Sequence, residues 1–182
     1  GQWFAAPGKP DSSEGYHLID AAVPASQQFD IAQVPPGRYT GIEFLLGIDA
    51  ARNHAGAQTG TLDPARGLFW SWKTGYIFFA FEGHSPQSRD GAKALTYHVG
   101  GEASAARTVF LPLAPKPARV EPRLRPTIHL KADVGRLFDA PQTIRFAALA
   151  SAMDARSSAP IADNAATLFV VDHLHHEPLP AQ

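Results

Sequence analysis

The chain has no cysteine in its 182 residues and a single methionine, Met153. Disulfides, zinc ribbons and thiolate copper sites are therefore excluded. Charge of one sign is equally scarce: 16 Lys and Arg against 17 Asp and Glu leave a net charge of −1. No basic field exists to hold a polyanion, so nucleic acid is not an expected partner. No apolar run approaches the roughly 18–20 residues that cross a bilayer, and no membrane span is expected. Catalytic signatures are missing as well. There is no Gly-x-Ser-x-Gly elbow, P-loop, dinucleotide fingerprint or His-Glu-x-x-His, and the carboxylates read as solvated surface. The chain is not expected to be an enzyme.

Strand signals are what the sequence does contain. With 16 Pro and 15 Gly, turns and short strands are favoured over long helices. Arg38 to Ile48 is an apolar strand built on Tyr39, Ile42, Phe44 and Leu46. Leu68 to Trp72 and Tyr76 to Glu82 read as two strands around Lys73-Thr74-Gly75, a hairpin or a bulged continuous strand. Leu95 to Gly100 and Thr108 to Leu113 follow, and Thr127 to Val134 alternates Ile128, Leu130 and Ala132 with His129, Lys131 and Asp133. Shorter strands are expected at Tyr16 to Ala21 and Gln28 to Ala32. Gly135 to Phe138 suits a helical turn. Thr143 to Ala155 and Asp163 to Val171 are open to helix, with Asp163 or Asn164 as N-cap. The fold class is all-β: one domain over 1–182, an antiparallel β-sandwich of about eight or nine strands with short helical insertions.

Chemistry is concentrated in eight histidines. His173, His175 and His176 form the densest tract, anchored by Phe169-Val170-Val171. On a strand His173 and His175 share a face; on a helix His173 and His176 do. Copper(I) is satisfied by two or three imidazoles without a thiolate. His98 and His17 each follow a tyrosine in an expected strand. His129 lies on the polar face of its strand and reads as solvated, and His54 and His84 read as loop surface. Trp70 and Trp72 fall on one face of a strand, either as a core ledge or as an exposed aromatic patch. Asp49-Ala50-Ala51-Arg52-Asn53 offers loop oxygens to a hard cation such as Ca2+, as a structural staple.

Six pieces in order carry a family resemblance. They are Tyr16-His17-Leu18-Ile19-Asp20, Pro36-Gly37-Arg38-Tyr39-Thr40, Leu45-Leu46-Gly47-Ile48-Asp49 with Arg52-Asn53, the Trp70 segment with Gly75-Tyr76 and Glu82-Gly83, Tyr97-His98-Val99-Gly100-Gly101, and Ile161-Ala162-Asp163-Asn164 with Asp172-His173-Leu174-His175. Over roughly residues 15 to 176 the chain resembles the MbnP-like proteins, periplasmic copper binders of methanobactin operons related to the secreted copper-collecting proteins of methanotrophs. The resemblance implies a periplasmic or secreted protein that holds copper, Cu+ favoured, for capture, storage or handover. It implies His98, His173, His175 and His17 as ligands. It also implies Trp72 or Trp70 as a tryptophan converted to kynurenine by a di-haem partner of the MauG/MbnH type. Where some relatives place tryptophan two positions before a strand histidine, this chain has Thr96. The family's first β-hairpin region precedes the segment matched by Tyr16, and Gly1-Gln2-Trp3-Phe4 looks like its end, so the first strand or strands are expected to be missing. The alternative expectation is a metal-free β-sandwich binding module whose exposed Trp-rich surface recognises a ligand or a partner protein.

Overall fold

A computed structural model describes residues 2–4, 15–70, 75–101 and 105–179. In chain order the elements are β1 (Gly37–Tyr39), β2 (Gly41–Leu46), α1 (Ala50–His54), β3 (Phe69–Trp70), β4 (Gly75–His84), β5 (Ala94–Gly100) and β6 (Arg107–Pro112). They continue through β7 (Ala118–Val120), β8 (Leu124–Ala132), α2 (Arg136–Asp139), β9 (Ser151–Ala152), α3 (Ala155–Ala165) and β10 (Phe169–Pro178). The ten described strands make this an all-β fold with short helices, in agreement with a sandwich. Strands β3-β4-β5-β9 form one sheet, and β2–β6, β1–β7 and β8–β10 are paired ribbons. Every pairing is antiparallel except the short parallel β5–β9 contact. Trp70 pairs with Gly75 and Phe69 with Tyr76, so β3 and β4 form a hairpin.

Alternation along β5 points Leu95, Tyr97 and Val99 inward. They pack against Leu137, Ile144 and the inner face of α3, where Ile161 and Ala165 are fully buried. Burying an aliphatic side chain of this size contributes about 1.5–3 kcal/mol. Tyr97 is also fully buried, and its hydroxyl donates to the Leu149 carbonyl at 2.7 Å. The helix begins at Asp154, whose carboxylate accepts the backbone N–H of Arg156 and Ser157.

Several local expectations are corrected. The helix runs Ala155–Ala165, so Asp163 and Asn164 lie in its last turn and are not its N-cap. Asn164 instead bridges loop backbone, donating to the Leu137 and Gln142 carbonyls and accepting the Gln142 N–H. Phe169 to Val171 is strand because β-branched residues suit a pleated surface. Tyr16 to Ala21 and Gln28 to Ala32 are not strands. Between them Ser26 Oγ accepts the Asp20 N–H and Asp20 Oδ1 accepts the Ala22 N–H, local bonds that compete with a ladder.

Three of the ordered sequence pieces, those with Asn53, Tyr76 and Gly100-Gly101, meet in one knot. Asn53, fully buried, donates Nδ2 to the Gly101 carbonyl and accepts the Tyr76 N–H, both at 3.0 Å. The Tyr76 hydroxyl donates to the Leu62 carbonyl and accepts the Gln58 N–H. A Cβ at Gly100 would overlap the Tyr76 carbonyl oxygen, so glycine is what lets β4 and β5 approach here. Beside the knot, Asp49 caps α1 and accepts hydrogen bonds from the Tyr16 hydroxyl, the Arg52 N–H and the Arg52 guanidinium.

Burial alone would raise the Asp49 pKa, but these donors outweigh it and hold the carboxyl at about 2. A carboxylate depressed on folding stabilises above its unfolded pKa, and that contribution disappears as pH falls through the folded one. Loss is thus expected between about pH 4 and pH 2. For this half-exposed group it amounts to on the order of 1 kcal/mol after solvent screening. Asp49→Asn is expected to flatten the pH dependence of the melting temperature across that window. Equal slopes for variant and wild type would remove the ion pair from the stability of the fold.

Candidate metal centre

The β8–β10 ribbon carries the densest imidazole chemistry. Val171 pairs with Leu130 and His173 with His129, so Asp172 is an extra residue and a bulge sits between the two pairs. Directly opposed residues share a face, which puts His129 beside His173, and alternation along β10 adds His175 to the same face. The His129 and His173 rings stack with centroids 3.9 Å apart and planes inclined by 11°. His175 lies 5.1 Å from His129 and 5.9 Å from His173, again centroid to centroid. One ligand nitrogen from each ring falls within 4.8 Å of the other two. Among the described residues this is the one such group of three.

Two rings are held from behind. His173 Nδ1 is 2.8 Å from Asp172 Oδ2, and His175 Nε2 is 3.0 Å from Glu177 Oε1. The His173 bond holds the Asp172 carboxyl below the usual carboxylate range, and the His175 bond, followed by Arg125, does the same for Glu177. Among the described residues, each of these imidazoles has a hydrogen-bond partner at one nitrogen only.

The donor set fits a transition metal. Bonds of about 2.0–2.1 Å to one ion bring ligand nitrogens to about 3–4 Å apart, and the three donors here lie within 4.8 Å of one another. Stacked rings aim their lone pairs side by side, and convergence requires rotation about χ2. That rotation is open to the exposed His129, while His173 and His175 turn only within their hydrogen bonds to Asp172 and Glu177. A cleft of about 240 Å³ between Leu113–Lys116 and Val171–Leu174 opens beside His173.

Of the four histidines the sequence reading put forward, the structure brings His173 and His175 together. His98 sits on β5 with Nε2 2.8 Å from Glu82 Oε1, its ring 6.5 Å from Trp70. His17 stacks on Phe29 at 3.8 Å, and burial there pushes its pKa down. His176 is on the ribbon but accepts the Arg119 N–H at Nε2, tying β10 to β7. Trp70 is 4% exposed, so it forms core and not a surface ledge; Trp72 lies outside the described residues. The side-chain oxygens of Asp49 and Asn53, considered for Ca2+, are engaged by protein donors. His129 is exposed, as its place on the polar face of its strand predicts, and what the sequence does not show is its pairing with a strand about 40 residues away.

These features define an all-β protein carrying a surface histidine triad on a two-stranded ribbon. The MbnP family model matches residues 2–154, and the chain belongs to the MbnP family. The match includes His129 and ends before α3 and β10, so His173 and His175 lie beyond it. No curated protein and no solved structure matches the chain. No helix among the described residues is long and apolar enough to cross a membrane.

Proposed function

We propose that the protein binds copper through His129, His173 and His175, and acts in copper capture, storage or handover without turnover. The observation that carries this reading is the convergence of three imidazoles on one sheet face. Imidazole nitrogen suits copper, and Cu2+ stands highest in affinity among the divalent first-row ions. Family membership supports a copper-related role, and the resemblance implies Cu+ as the bound form. A periplasmic or secreted location belongs to the same proposal. So does a di-haem partner of the MauG/MbnH type acting on Trp70 or Trp72 to make kynurenine. Trp70, buried beside His98, is the candidate whose surroundings are described.

Chelator competition tests the reading. Wild type is expected to hold one copper per chain, and the His173→Ala/His175→Ala double variant to lose stoichiometric binding while keeping its fold. Copper at 100 times Kd should also stabilise wild type by about 2.7 kcal/mol. For a chain of this size that is a rise of roughly 5–10 °C in melting temperature, reversed by a chelator. Unchanged binding in the double variant would remove the ribbon from copper chemistry.

A further inference from the structure

Adjacent residues of a regular strand project to opposite faces, so a carboxylate next to a histidine does not ordinarily reach its ring. Asp172 reaches His173 because it is the extra residue of the bulge. Glu177, two residues past His175, reaches along the same face. An ionised carboxylate only accepts, so each fixes the ring proton on the nitrogen that it touches. We propose that Asp172 and Glu177 are positioning residues that set this triad for a divalent ion, Cu2+ above Cu+, with His173 binding through Nε2 and His175 through Nδ1. The proposal rests on the triad being the copper site, and it departs from the Cu+ that the family resemblance implies.

Three features favour the dication. The triad offers nitrogen alone, which Cu+ accepts but which lacks the thiolate or thioether that would select Cu+ over Cu2+, and the single methionine, Met153, is not among its residues. Carboxylates bound to two of three ligands raise imidazole basicity and place negative charge one hydrogen bond behind the ligand rings. Arg125 Nη2, 3.1 Å from Glu177 Oε2, and Lys131, which acts on Asp172, offset part of that charge, while only the carboxylates bond the rings. Exposure of His129 and His173 leaves room for water to complete a tetragonal set, the geometry Cu2+ prefers.

The test is the reduction potential of the protein-bound copper, with electron paramagnetic resonance of the Cu2+ form. Wild type is expected to show coupling to three nitrogens and a potential below that of the free aqueous couple. Asp172→Asn and Glu177→Gln are each expected to weaken Cu2+ binding by about 10–100-fold and Cu+ binding by less. A tenfold loss specific to Cu2+ raises a one-electron potential by about 59 mV. Melting temperatures of the metal-free variants should stay at the wild-type value. A wild-type potential at or above the aqueous couple, or potentials unmoved in both variants, would overturn the proposal and leave the triad as a copper site. Copper retained in the His173→Ala/His175→Ala variant would overturn both.

Discussion

Asn53→Ala is expected to lower the unfolding free energy by about 3–4 kcal/mol, since two buried backbone groups lose their partners at once. The side chain is fully buried and joins the Tyr76 N–H to the Gly101 carbonyl. Neither group has water to turn to, and the truncation leaves a small void as well. In a chain of this length the melting temperature should fall by roughly 10 °C. Asn53→Asp keeps the acceptor for Tyr76 and loses the donor to Gly101, so it separates the two halves of the bridge. Urea denaturation reads both variants. A change below about 1 kcal/mol for Asn53→Ala would mean that the knot is not what holds α1 to the hairpin.

The second large effect falls on a residue that lies within the matched family segment but outside the histidine-dense tract. His129→Ala is expected to weaken copper binding as much as His173→Ala or His175→Ala, on the order of 100-fold or more. Losing a hydrogen-bond partner behind a ligand already costs about 10–100-fold, and losing the ligand itself removes a metal–nitrogen bond. Its rings are stacked in the open, so the stability of the metal-free protein should hardly change. Competition against a chelator of matched affinity, variant by variant, checks the equivalence. Full affinity in His129→Ala would reduce the site to the two β10 histidines.

What the sequence disclosed follows the range over which each signal acts. Alternation in Thr127 to Val134 and the aromatic residues flanking Gly75 are local signals, and strands form there, at Leu124–Ala132 and at Phe69–Trp70 paired with Gly75–Tyr76. The pieces holding Asn53, Tyr76 and Gly100-Gly101 meet in one knot, because the Asn53 side chain bridges the Tyr76 N–H and the Gly101 carbonyl and Gly101 N–H donates to the Tyr76 carbonyl. Helix phase in the C-terminal third is not legible locally: Asp163 or Asn164 is the expected N-cap, whereas the helix is capped by Asp154 and buries Ile161 and Ala165. His129 was hidden for a different reason. Strand partnership between β8 and β10 is long-range, and the one-residue bulge at Asp172 changes which β10 side chains face His129. His98 and His17 carry aromatic and carboxylate neighbours of their own, which no spacing rule in the chain could reveal.

The most direct test is a copper titration followed through the imidazole resonances of isotope-labelled protein. Substoichiometric Cu2+ should broaden His129, His173 and His175 together and leave His17 and His98 sharp. Broadening centred on His98, or spread evenly over all eight histidines, would contradict a copper site on the β8–β10 ribbon.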